Sequence, residues 1–337
     1  MKNFRCQCGQ QLFFDSQSCI RCGRRLGFDV ENMEMVALSG DQATHSRLCA
    51  NSEYGVCNWV IPESSTHSLC FACQFNRTIP YLGKPENVTR WRVLESAKKR
   101  LFYTLLRLGL PLVSGHVDTQ HGLLFDFVED ARSDPNRYPE KFVHTGYANG
   151  VITVNVLEAD DAARESMKAA LRESYRSVLG HLRHESGHFY WSHLQVALTA
   201  EFKQLFGDSQ ADYAAALEKH YADGPPADWN QRFISAYASA HPLEDWAETW
   251  GHYLHIFDLL ETAATHGLID VQFDQMDMQA QISLWRKLSV TLNELNRSIG
   301  LGDAYPFIVT DLVQEKLTFI DRAIKSLKTP HSAQAGY

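Results

Sequence analysis

Long apolar runs are missing from this 337-residue chain, and so is any excess of basic charge. No stretch approaches the ~18 consecutive apolar residues that a membrane-spanning helix needs, so no membrane partner is expected. The first residues, MKNFRCQCGQ, lack the charged-then-apolar pattern of a secretory leader, which points to a cytoplasmic protein. Lysine and arginine number 32 against 40 aspartates and glutamates, a net charge of −8, so a phosphate backbone would be repelled rather than gathered. Low-complexity segments are absent, and no internal repeat stands out beyond two cysteine groups. Cysteine itself is absent after residue 73, yet eight crowd into the first 73 positions.

In a reducing compartment such crowding favours thiolate chemistry over disulfides. FRCQCGQ and SCIRCGR supply Cys6, Cys8, Cys19 and Cys22; Cys49 and Cys57, followed by LCFACQ, supply Cys70 and Cys73. Each group is a complete set of four soft ligands for zinc, and closely spaced C-x-C and C-x-x-C pairs let one tight turn present two sulfurs to one ion. Gly9 and Gly23, each directly after a cysteine, suit such turns. In the looser second group one corner could come from His45 or His67 instead. Two structural zinc ions are therefore expected. Zinc knuckles that bind nucleic acid usually carry a basic surface. Through residue 85 there are eight Lys and Arg against seven Asp and Glu, so no nucleic-acid partner is expected.

IPYLGKPEN punctuates the chain with proline and glycine and reads as a linker, giving a small zinc-ribbon domain over 1–83 and a larger domain over 84–337. After it, Asn87 is placed to cap a helix whose apolar residues at 91, 94, 97, 101, 105 and 108 keep helical spacing. GLLFDFVED and GVITVNVLEADD then read as strands, and helical periodicity dominates from Asp160 onward. The larger domain is thus α+β, mainly helical with a small sheet. GVITVNV fits either a core strand or an edge strand able to pair with an extended peptide.

One helix, beginning near Arg172, carries HLRHESGHFYW, with an H-E-x-x-H pentad at 184–188. His184 and His188, four apart, share a helix face and can grip one ion. Glu185 is rotated off that line and can reach a metal-activated water, the geometry of a general base. Two histidines are too few ligands. SAYASAHPLEDWAETWGHYLHI offers Glu244 as the third, with Asp245 as the alternative beside it, on a helix starting after Pro242. Glu248, one turn on, could hydrogen-bond a ligand histidine and hold its tautomer. His252 and His255 fall two to three turns past Glu244 and read as packing or surface residues. His181 and His193 lie outside the ligand spacing, and Trp246 and Trp250 read as core.

H-E-x-x-H followed by E-D-W-A-E resembles the gluzincin metallopeptidases, in which the third ligand is a glutamate on a later helix. YRSVLGHLRHESGHFYW, DYAAALEKHYADGPPADW and SAYASAHPLEDWAETWGHYLHI, with the zinc-ribbon front end, are similar over nearly the whole chain to the bacterial family called putative zinc-binding metallopeptidase. The resemblance implies a zincin-like domain, a catalytic zinc beside the two structural ones, and a peptide or protein substrate. It also implies that Tyr237, seven before Glu244, stabilises the tetrahedral intermediate, although a packed core tyrosine fits the same position. A reading from another class stays open: a non-catalytic protein-interaction module, its ribbons docking on a protein partner and its peptidase-like domain carrying zinc for structure.

Overall fold

The computed structural model describes residues 1–39, 45–171, 176–194 and 199–327. The chain divides into two compact units, residues 2–167 with 177–182, and residues 168–176 and 183–327 with Met1. The cysteine-rich segment and the long helix that follows it fall in one unit, because residues of the segment pack directly on that helix.

In the first unit the cysteine-rich segment is built of three antiparallel pairs: β1 (Phe4–Arg5) with β2 (Gln11–Leu12), β3 (Leu26–Asp29) with β4 (Glu34–Ala37), and β5 (Ser46–Leu48) with β6 (Val60–Pro62). Such short strands bury little on their own. An aromatic cluster joins them: Phe14 lies 4.8 Å from Phe28 and 5.6 Å from Tyr103 between ring centroids, and Phe28 lies 5.0 Å from Trp59. Tyr103 belongs to α1 (Pro85–Arg107), whose residues Trp91, Leu94, Ala97, Leu101 and Leu105 are buried at the expected helical spacing. The helix starts two residues before the expected cap. Pro85 takes the first helical position, where its missing N–H costs nothing. Asn87 instead turns its amide to the Tyr81 carbonyl at 3.0 Å and the Glu129 carboxylate at 2.5 Å.

A four-stranded sheet completes this unit, ordered β7 (Asn76–Thr78), β8 (Leu124–Val128), β10 (Val151–Asn155), β9 (Gly146–Ala148). GVITVNV is therefore no edge strand: β10 pairs in parallel with β8 on one side and antiparallel with β9 on the other. The sheet and α1 bury Lys98, whose ammonium pairs with Glu95 at 2.9 Å.

The second unit is helical. After α2 (Asp161–Leu171), the pentad helix α3 (Val178–Leu194) has its first turn grouped with the first unit and residues 183–194 with the second. The expected start near Arg172 lies outside the described residues. Then come α4 (Thr199–Leu205), α5 (Tyr213–Asp223), α6 (Trp229–Arg232), α7 (Pro242–Thr265), α8 (Met278–Ser298) and α9 (Asp311–Leu327). Trp246 and Trp250 are fully buried, and Trp191, Phe202, Phe206 and Phe319 cluster around Trp246. Helix α7 starts where Pro242 occupies the first position and the His241 side chain accepts from the Leu243 N–H. Glu244 and Asp245 in its first turn complement the helix dipole. No helix among the described residues is long and apolar enough to cross a membrane.

Helices α7 and α9 are tied by a buried ion pair, Lys316 Nζ to Asp245 Oδ2 at 2.6 Å. Burial pushes the Asp245 carboxyl up to about 7 against the charge of Lys316, so it can take up a proton if the lysine is lost. Lys316→Met is therefore expected to cost about 3 kcal/mol in urea unfolding, the lower end for breaking a buried pair. Adding Asp245→Leu should recover most of that loss; recovery of none would assign the effect to packing.

Candidate metal centre

Helix α3 presents His184, Glu185 and His188, and helix α7 presents Glu244 and Glu248 one turn apart. The two helices approach closely because of glycine. A Cβ on Gly187 would lie 2.9 Å from the Ala247 Cα and 3.2 Å from Trp250, inside ordinary contact distance. On the same side of α3, the Trp246 indole donates to the Gly187 carbonyl at 2.8 Å and the Trp250 indole to Ser186 Oγ at 3.0 Å.

The donors gather beside this close approach of the two helices. His184 Nε2 lies 3.2 Å from His188 Nε2 and 3.1 Å from Glu244 Oε2. His188 Nε2 lies 3.4 Å from Glu244 Oε1. His184 Nδ1 faces Glu248 Oε1 at 2.7 Å, and a carboxylate there needs a proton from the ring. In the neutral ring Nε2 is then a bare lone pair, aimed at a second imidazole and a carboxylate. Glu244 Oε2 is buried and has no hydrogen-bond partner. So close a grouping of two imidazoles and a carboxylate calls for positive charge among them, a proton on the His184 ring or a metal cation. Their spacing fits the metal, since a tetrahedron with ~2.0–2.1 Å bonds to zinc has edges of about 3.3 Å. The donor set of two imidazoles and a carboxylate suits zinc as well. Glu185 lies beside them, mostly buried, with its ligand atom within 4.8 Å of the imidazole nitrogens.

The carboxylates shape the electrostatics. Burial would lower the His184 pKa, but Glu244 and Glu248 override it and raise it well above the ordinary value. Burial would raise Glu248, but the hydrogen bond from His184 holds it at about 2. Ser235 Oγ donates to Glu248 Oε2 at 2.5 Å.

Of the other residues weighed from the sequence, Asp245 turns away to Lys316. Tyr237 sits in the short turn before α7, half-buried, its ring centroid 6.0 Å from that of His184. Burial and then the charge of Glu244 push its phenol pKa up, so it keeps its proton. His252 bonds Tyr305 Oη at 2.6 Å, and His255 packs on the same tyrosine. His181 faces Glu158 at 3.3 Å, and His193 bonds the Phe189 carbonyl of its own helix at 2.9 Å. Three residues escaped the sequence reading: Ser235, Lys316, and Tyr213, whose hydroxyl donates to Glu244 Oε1 at 2.6 Å. The one available signal was Asp212, a side-chain cap that places Tyr213 at a helix start.

The eight cysteines gather as two sets of four, Cys6, Cys8, Cys19, Cys22 and Cys49, Cys57, Cys70, Cys73. The Sγ atoms of Cys6 and Cys22 are 3.7 Å apart, those of Cys8 and Cys19 are 3.6 Å apart, and those of Cys57 and Cys70 are 3.6 Å apart. A disulfide is ~2.05 Å long, whereas four sulfurs at ~2.3 Å from zinc stand about 3.8 Å from each other. Gly9 and Gly23 take positive φ of 85° and 70°, and their N–H groups close the turns onto the carbonyls of Cys6 and Cys19 at 2.8 Å. In the second set, the N–H groups of Trp59 and Cys70 donate to Cys57 and Cys49 sulfurs at 3.4 and 3.3 Å. His45 and His67 are exposed and stand outside the set.

Comparison with known proteins gives two family matches. Residues 87–323 match the family described as "putative zinc-binding metallo-peptidase", and residues 3–84 match a zinc-ribbon domain. An uncharacterized protein of Mycobacterium bovis and two from strains of Mycobacterium tuberculosis are each 39% identical over 335 residues, covering 96% of this chain and 95% of theirs. No solved structure matches the chain. Zinc binding is indicated both by that family and by the two four-cysteine clusters. The chain belongs to the putative zinc-binding metallo-peptidase family and carries a zinc-ribbon domain at its N-terminal end.

Proposed function

We propose that this protein is a zinc-dependent peptidase that hydrolyses peptide bonds, with His184, His188 and Glu244 holding a catalytic zinc and Glu185 acting as general base. The observation that carries the reading is the convergence of His184 Nε2, His188 Nε2 and the buried Glu244 Oε2, which has no hydrogen-bond partner, beside the Glu185 carboxylate. Zinc bound there supplies a Lewis acid that polarises the scissile carbonyl and lowers the pKa of water toward ~7.

This chain's residues supply the rest. Glu185 takes the proton from the attacking water and passes it to the leaving amine. Tyr237, protonated and with its ring 6.0 Å from that of His184, donates a hydrogen bond to the oxyanion that develops on the carbonyl. Glu248 accepts from His184 Nδ1 and keeps Nε2 deprotonated toward the metal. Residues 84–337 make up the peptidase part in this reading. Residues 1–83 hold two structural zinc ions and offer a surface for a protein partner. Clusters of four thiolates persist only where thiols stay reduced, which supports a cytoplasmic site of action.

Elemental analysis tests the assignment without knowledge of the substrate. The wild type is expected to hold about three zinc ions per chain, and a folded His184→Ala/His188→Ala variant about two. An equal count in both proteins would remove the catalytic zinc and leave a binding module.

A further inference from the structure

We propose that Tyr213 is a positioning residue for Glu244: its hydroxyl fixes the rotation of the carboxylate that faces the two imidazoles. The proposal rests on the reading of Glu244 as a zinc ligand.

Tyr213 is placed the wrong way round for a packing tyrosine. Its residue is 42% exposed, while its hydroxyl reaches Glu244, which is 1% exposed, and donates to Oε1 at 2.6 Å. A carboxylate at the end of a glutamate turns readily, because that last torsion is broad. With Oε1 held by Tyr213 and 3.4 Å from His188 Nε2, Oε2 is left toward His184 Nε2 at 3.1 Å with no hydrogen-bond partner. One oxygen is anchored, and the other is presented.

The anchor has its own support. No residue of helix α5 is buried, so apolar burial does little to place Tyr213. Side-chain links do it instead. The Asp212 carboxylate caps α5 by accepting from the Ala215 N–H at 3.0 Å. His241 accepts from the Leu243 N–H through Nδ1 at 3.1 Å, so its proton sits on Nε2, which donates to the Ala211 carbonyl at 3.2 Å. The same imidazole packs edge-on against the Tyr213 ring, 5.1 Å between centroids. His241 thus caps the helix that carries Glu244 and ties down the chain two residues before Tyr213.

Tyr213→Phe removes the hydroxyl and keeps the ring contact with His241. In full-length protein, stripped at this site with a mild chelator and titrated with zinc against a chromophoric competitor, the variant is expected to bind ~10-fold or more weakly. Its thermal midpoint before zinc addition should equal that of the wild type. In a Glu244→Ala background the same substitution should have no further effect on zinc affinity. Unchanged affinity in Tyr213→Phe would overturn the proposal, as would a lowered midpoint in the zinc-free state, which would mark a role in the fold. If His184→Ala leaves zinc affinity at the wild-type value, the reading of the site itself falls and takes this proposal with it.

Discussion

Glu185→Gln is expected to lower kcat for peptide hydrolysis by roughly 10²–10⁴-fold, the range contributed by a positioned general base, while the zinc count stays at about three per chain. Glutamine keeps the size and polarity of the side chain but cannot take a proton. Glu185 stands off the line of His184 and His188 on α3, so its replacement leaves the three converging donors in place. Loss of activity with retained metal therefore separates the base from the ligands, which His184→Ala would not. It also separates the peptidase from a protein-interaction module, because a module that recognises a partner through this domain has no use for a base. Equal cleavage of a peptide by wild type and Glu185→Gln would sink the assignment of Glu185.

Cys70→Ser is expected to collapse the cysteine-rich segment. Cys49, Cys57, Cys70 and Cys73 are all buried, at 0, 1, 0 and 0% exposure, with no water to take the place of a lost ligand. Structural zinc in small domains contributes on the order of 10–16 kcal/mol to folding, far more than the three short strand pairs can replace. Trp59 reports the outcome, since it is fully buried, packs on Phe28 and donates its backbone N–H to Cys57 Sγ. Its near-UV circular dichroism should be lost in the variant, or in wild type treated with a strong chelator, along with about one zinc per chain. Cys22→Ser should be milder, because Cys22 is exposed and water can fill its corner. A Cys70→Ser protein that keeps its zinc and its Trp59 signal would mean the second set is four buried thiols and no metal site.

The parts legible in the sequence are those written in local spacing. Residues four apart on one helix put His184 and His188 together, and the same period marked the buried face of α1. Closely spaced cysteines pointed to two groups of four before any turn was seen. What the sequence does not show is which distant residue a side chain will meet. Tyr213 lies 31 positions from Glu244, and Lys316 lies 71 positions from Asp245. Asp245 is as acidic as Glu244 and adjacent to it; only the lysine of α9 shows which way each one turns. GVITVNV alternates as an edge strand would, yet β9, only three residues long, covers its outer side. So short a strand leaves almost no pattern to read.

Gly187 gives the pentad a second meaning. Its two histidines and glutamate define the chemistry, but the fourth position is a spacer of zero width: it sets how far α3 stands from the Ala247 turn of α7. A methyl group there would have to push the two helices apart by some fraction of an ångström, and the carboxylate of Glu244 would retreat from the imidazoles with its helix. The motif is therefore a ruler as well as a reagent. Two chains that share H-E-x-x-H but differ at this position need not share a metal, because the third ligand arrives only as close as the backbone allows.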